Sequence, residues 1–316
     1  MSEVERRSPP ATEKEYRVRY AIVATTVFST IALAWAAEAR VKVVVSYPYI
    51  ESLVKEVAGG EAEVTVLAKA GEDPHVVVPR PSFIGKLRQA DLFIMNGASL
   101  EIGFVPPLLQ QANNPKVSPG GRGFVDLSQS VDLMGKPAKV DRSEGDVHPE
   151  GNPHFVLDWR NVPKLAKAIA AALASADPSK KEDYERRLHA FEAKWRDRSA
   201  VWEKDAARLH GRAAIQYHRL FNYFFARTGI AVAAEVEPKP GIPPTGRHVE
   251  EIIETTRDQK IIAVFTDTYH DRKTAEGVAK KLGVACVTLP HDAGAVDGSG
   301  DIFALFETLL KRLPND

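Results

Sequence analysis

Val41-Lys-Val-Val-Val-Ser46 decides the fold. Its β-branched residues read as a buried strand, and strands and helices alternate from there on. A helix from about Tyr49 to Val57 stops at Gly59-Gly60, and Val64-Thr-Val-Leu67 is the next strand. Pro81 to Gln89 reads as a short helix, and Asp91-Leu-Phe-Ile-Met95 as a third strand ending at Asn96-Gly97. Strand, helix and strand at this spacing predict a parallel sheet with right-handed crossovers.

The second half of the chain repeats this rhythm. Arg212 to Ile215 leads into a turn at His218, and His218 to Thr228 has an amphipathic helical pattern. Ile261-Ile-Ala-Val-Phe265 is a strand, Arg272 to Leu282 a helix, Val284 to Leu289 a strand and Ile302 to Arg312 a closing helix. Between the halves, Asp177-Pro178-Ser179 opens a long helical segment reaching about His210. Tyr184, Leu188, Phe191, Trp195, Trp202, Ala206 and Leu209 mark its apolar face. A helix that long, about 45 Å at 1.5 Å per residue, would act as a stiff spine.

The expected class is therefore α/β, with two doubly wound lobes of parallel sheet joined by a long rigid helix. The predicted divisions are 40–178 for the first lobe, 179–210 for the linking helix and 211–316 for the second lobe. Residues 1–39 are expected to be a signal peptide with an N-terminal extension. Arg17 and Arg19 precede an apolar stretch from Tyr20 to Trp35, closed by small residues at Ala34-Trp35-Ala36 and Ala37-Glu38-Ala39.

Composition narrows the function classes. The chain has 316 residues, with lysine plus arginine and aspartate plus glutamate equal at 42 each. No basic stripe points to nucleic acid, and no apolar run is long enough for a membrane span. The one cysteine, Cys286, lies in a strand-like run, where it reads as a small core residue. No cysteine lies near residues 34–41 to carry a lipid, so an exported, unanchored, periplasmic protein is expected.

Three histidines follow strand-like runs in tight polar turns: His75 in Asp-Pro-His, His154 in Asn-Pro-His and His218 in Gln-Tyr-His. Asp292, in Leu-Pro-His-Asp, adds a carboxylate. Imidazole suits zinc and other borderline first-row ions, and three imidazoles with one carboxylate fill a tetrahedral shell. The four lie roughly 65 to 80 residues apart, whereas a local zinc motif keeps its ligands a few residues apart. They can meet only if two halves of the molecule close on one ion, which points to a metal carrier. Ligands at the carboxyl ends of parallel strands fit that placement.

Other candidates are open at this stage. His291 neighbours Asp292 and competes with it as fourth ligand, and His270 has no settled role. His189, His210 and His248 lie in charged helical stretches and read as surface residues. Glu101, Asp158 and Glu235 are candidates to hold the second nitrogen of a ligating histidine. Residues 131–151 lack apolar periodicity, carry His148 among acidic and basic residues, and are expected to form a mobile loop. The proline-rich stretch Pro238 to Pro244 reads as a stiff loop beside the cleft.

Taken in order, Asp73-Pro74-His75, Asn96-Gly97-Ala98-Ser99-Leu100-Glu101, Asn152-Pro153-His154-Phe155-Val156-Leu157-Asp158 and His218 with its aromatic helix resemble the zinc- and manganese-binding solute-binding proteins of bacterial ABC importers, the TroA/ZnuA-like family. Glu237-Pro-Lys-Pro-Gly-Ile-Pro-Pro244 and the ending around Asp292 are similar too, so the resemblance runs from about Val41 to Leu313. It implies two α/β lobes joined by a rigid helix, with the metal in the cleft. It puts ligands at His75 and His154 from the first lobe and at His218 and Asp292 from the second. In the family a histidine at the third position goes with zinc and a glutamate with manganese, so His218 implies Zn2+ as the carried ion. The implied partner is an inner-membrane ABC permease. A periplasmic metallochaperone is a further candidate partner, no nucleic acid is expected, and the chain is expected to be a monomer.

Two departures stand out. The long histidine-rich loop of many zinc members is reduced here to His148, and Asp267 stands where many relatives have a glutamate. A manganese or iron carrier of the same fold is the alternative. A zinc hydrolase is disfavoured, because a closed shell leaves no position for water and no His-Glu-x-x-His motif exists. Nothing in the sequence directly favours an adhesin.

Overall fold

The computed structural model describes residues 40–137 and 148–314. The expected signal segment and the middle of the 131–151 loop lie outside the described residues.

Two four-stranded parallel sheets carry the architecture. The first has β1 (Val41–Val45), β2 (Ala62–Val66), β3 (Leu92–Met95) and β4 (Phe124–Asp126) in the order β2-β1-β3-β4. The second has β5 (Ala213–Gln216), β6 (Ala231–Glu235), β7 (Ile261–Thr266) and β8 (Ala285–Thr288) in the order β6-β5-β7-β8. Each sheet thus starts at an inner strand, steps to one side, and then crosses back to the other. In the first, Val43 pairs with Val64 on β2 and with Leu92 on β3. Val43, Val44 and Val45 are all buried, as strands covered on both faces require. Where the order reverses, between β1 and β3 and again between β5 and β7, the carboxyl ends leave a crevice for a ligand.

Helices connect these strands. They are α1 (Pro48–Ala58), α2 (Pro81–Gln89), α3 (Val105–Ala112) and α4 (Val162–Ala176) in the first half. After α5 (Lys181–Ala206) come α6 (Asn222–Thr228), α7 (Gly246–Thr256), α8 (Arg272–Leu282) and α9 (Ile302–Lys311). Patterning passed over α3, α4, α7, β4 and β6. The Ala-Val-Ala-Ala-Glu of β6 has little β-propensity, and the alanine-rich α4 shows weak contrast between its faces.

One boundary shifts for a physical reason. The helix expected from His218 begins only at Asn222. Gln216 accepts the Phe221 N–H at 3.1 Å and donates to Asn222 Oδ1 at 2.5 Å, so its amide caps the helix start. His218 is left in the preceding turn.

The 26-residue α5 has short 3₁₀ turns at Pro178–Lys180 and Ala207–Leu209. Tyr184, Leu188, Phe191, Trp195, Trp202 and Ala206 form its buried face. It packs on α4, α1 and α9. The last helix leaves its own sheet to do so. Trp195 meets Phe303 at 4.9 Å and Phe306 at 5.6 Å between ring centroids, and the Ile302 N–H donates to Ser52 on α1 at 2.9 Å. The first and last of the described helices therefore share one core around the long helix.

Candidate metal centre

The crevice gathers three of the four expected ligands. One nitrogen each from His75, His154 and His218 lies within 4.8 Å of the other two. Ring centroids are 5.5 Å apart for His75–His154, 5.5 Å for His75–His218 and 5.7 Å for His154–His218. Nitrogens on one tetrahedral zinc stand roughly 3.3 Å apart, so a small inward movement would seat all three. The first two rings come from loops of the first half and the third from the end of β5.

Local geometry aims each ring. Asp73 Oδ1 lies 2.9 Å from both the backbone nitrogen and Nδ1 of His75. The Tyr47 hydroxyl donates to the Pro74 carbonyl at 2.7 Å and anchors that turn. Asn152 Oδ1 accepts the His154 N–H at 2.9 Å, while Asn96 Nδ2 donates to the Pro153 carbonyl at 3.1 Å. His218 Nδ1 lies 2.5 Å from Glu237 Oε2. A carboxylate at Nδ1 places the proton there and leaves Nε2 as a lone pair. The Nε2 atoms of His75 and His154 are buried with no hydrogen-bond partner. A buried lone pair without a donor is costly, and a cation relieves that cost. Burial, and then the neighbouring His75 and His218 rings, hold His154 well below the usual imidazole range, so it is neutral and ready to ligate.

Asp292 stands apart from this triad. Its Oδ1 accepts the Tyr49 N–H at 2.7 Å and the Ala293 N–H at 2.6 Å. Among the described residues it joins no group of three ligand atoms within 4.8 Å of one another. Burial pushes its carboxyl up to about 8, against two backbone hydrogen bonds that lower it. His291 is also outside the triad. Its ring is edge-on to Tyr269 at 5.0 Å, and burial pushes it down to about 4.

The carboxylates beside these histidines differ from those expected. Glu101 accepts the backbone N–H groups of Asn96 at 2.7 Å and Gly97 at 3.1 Å, so it staples a turn. Asp158 grips Arg160, and Glu235 pairs with Arg219 at 2.8 Å. Asp73 and Glu237 do the work instead. Both stand in stretches that carry the family resemblance, Asp73 in Asp-Pro-His and Glu237 at the head of Glu-Pro-Lys-Pro, but neither stretch says which ring its carboxylate meets.

A further network backs His218. The His270 ring stacks on it at 5.3 Å, with Nε2 3.8 Å from Glu237 Oε1. His270 Nδ1 lies 2.7 Å from Asp267 Oδ2. Burial alone would raise the Asp267 carboxyl, but its hydrogen bond and attraction to His270 prevail and hold it low. Asp267 thus fixes His270 against Glu237. His218, Glu237 and His270 also lie close enough to hold an ion, but His218 Nδ1 is already engaged by Glu237.

Comparison with known proteins bears on the family and the fold. A family model described as ZnuA, zinc-uptake complex component A periplasmic, matches residues 43–315. The iron ABC transporter substrate-binding lipoprotein MtsA of Streptococcus pyogenes serotype M1 is 27% identical over 250 residues, covering 78% of this chain and 77% of MtsA. The zinc-binding lipoprotein AdcA of Streptococcus pneumoniae (strain ATCC BAA-255 / R6) is 24% identical over 254 residues, covering 78% of this chain and 49% of AdcA. A crystal structure of ZnuA matches with a TM-score of 0.68 at 22% identity, covering 87% of this chain and 99% of that one. At that identity the likeness concerns the fold.

Proposed function

Because the chain belongs to the ZnuA family, zinc-uptake complex component A, we propose that it captures Zn2+ in the periplasm and delivers it to an inner-membrane ABC permease. Members of this family are substrate-binding components of metal importers and not enzymes. The name of MtsA cites iron and that of AdcA cites zinc, so the choice of ion rests on the donors. Three imidazoles suit zinc, whereas manganese prefers oxygen.

The observation that carries the reading is the convergence of His75, His154 and His218, with buried, unpartnered Nε2 atoms on the first two. Capture and release follow from where these ligands come from. Two belong to the first half and one to the second, so separating the halves on a docked permease would strip the ion of a ligand.

Elemental analysis of protein purified from the periplasm, followed by competitive zinc titration, tests this. One Zn2+ per chain is expected. His218→Ala should weaken binding by more than about 100-fold, beyond the usual cost of losing an outer hydrogen-bond partner. Manganese or iron in place of zinc, or equal affinity in the variant, would overturn it.

A further inference from the structure

His148 lies six residues before His154 in the sequence and beside His75 in space. Its ring centroid is 5.4 Å from that of His75, matching the 5.5 Å separations of His154 and His218 from the same ring. Two imidazoles on one tetrahedral zinc have centroids about 5 Å apart. His148 thus stands at a ligand's spacing from His75 alone: like Asp292, it joins no group of three ligand atoms within 4.8 Å of one another among the described residues, so it would have to move inward to share the ion.

Its tautomer is settled by a neighbour. His148 Nδ1 lies 3.1 Å from the Ala98 carbonyl oxygen. A carbonyl only accepts, so the proton is on Nδ1 and the neutral ring has its lone pair at Nε2. That Nε2 is buried and has no hydrogen-bond partner.

The surroundings are built to present this ring. Ala98 and Ser99 have positive φ values of 52° and 60°, a costly conformation for residues with a Cβ. Glu101 holds the turn by accepting the Asn96 and Gly97 N–H groups. Ser99 Oγ donates to Glu150 at 2.9 Å, pinning the segment just after His148. The Gly151 N–H closes on the His148 carbonyl at 3.1 Å. The strained turn thus offers one carbonyl to orient the imidazole and one hydroxyl to tether the chain behind it. Asp292, by contrast, has one carboxylate oxygen engaged by two backbone N–H groups.

We propose that His148 supplies the fourth donor to the divalent cation held by His75, His154 and His218, giving an all-imidazole shell. This rests on the zinc-carrier reading above. Four neutral nitrogens bias the site further toward zinc and away from manganese, and they leave the full charge of the ion uncancelled by a ligand.

Zinc X-ray absorption on the full chain loaded with one Zn2+, together with competitive titration, tests the proposal. Wild type should show four imidazoles and no carboxylate. His148→Ala and His148→Gln should each show one imidazole fewer, with zinc affinity weaker by at least about tenfold, since even outer partners cost that much. Asp292→Asn should leave the shell unchanged. Thermal melting of the metal-free variants checks that both His148 replacements fold. An unchanged imidazole count and affinity in folded His148 variants would overturn the proposal, as would loss of a carboxylate donor in Asp292→Asn. Failure of wild type to bind zinc would instead sink the carrier reading itself.

Discussion

Glu237→Gln is the most discriminating perturbation of the histidine triad, because it changes a charge without changing a shape. The carboxylate is 6% exposed, and its Oε2 sits 2.5 Å from His218 Nδ1. Its Oε1 accepts the Gly241 N–H at 2.9 Å. As an acceptor only, it compels the proton onto Nδ1 and makes Nε2 a better donor to the ion. Glutamine offers an amide that can turn either way. With its oxygen toward His218 the tautomer survives but the negative charge is gone. With its NH2 toward His218 the proton moves to Nε2 and the ligand is lost. Removing an outer partner of this kind typically costs 10- to 100-fold in metal affinity, or about 1.4 to 2.7 kcal/mol. Competitive titration against a zinc chelator at neutral pH reads this directly, with melting of the metal-free form as a fold control. Unchanged zinc affinity would refute the tautomer argument. So would a loss as large as that of His218→Ala, because Glu237 would then be doing more than orienting one ring.

Two further outcomes concern the frame of the site. Burial pushes the Glu101 carboxyl from its ordinary 4.5 up to about 7, against hydrogen bonds from Ser46, Asn96 and Gly97. With the folded value raised, its stability contribution is full below the unfolded value and is lost as pH rises through the folded one. Relative to Glu101→Gln, metal-free wild type should lose about 3 kcal/mol of stability between pH 4.5 and 8. Urea unfolding across that range checks it, and parallel curves would contradict it. Gly97→Ala should be destabilising by about 1 to 3 kcal/mol or more. The backbone there has φ of 85°, and an added Cβ would stand 1.7 Å from Asp126 Oδ1. Its melting temperature should fall, and because the same turn carries Ala98, zinc affinity should fall with it. A variant matching wild type in both would show that the turn has slack that the geometry denies.

The alternation of β-branched runs with glycine-ended helical segments was enough to predict two parallel α/β halves around a long helix. Burial periodicity is a local property, so Val41–Val45 and the apolar face of Lys181–Ala206 carry it openly. The three histidines brought together in the crevice were also legible, because each sits in a polar turn after a strand-like run. What the linear order could not specify was which groups meet them. Glu237 reaches His218 from 19 residues away, beyond a helix and a strand. Glu101 and Asp158, closer to the motifs, turn to a backbone turn and to an arginine instead. His148 read as one loop residue among charges, since the Ala98 carbonyl that orients it lies 50 residues earlier. The packing of α9 on α1 likewise joins segments 250 residues apart that no periodicity relates. Apolar patterning records which face is buried, but hydrogen-bond partners are chosen only when distant segments arrive at the same place, and tertiary structure alone decides that.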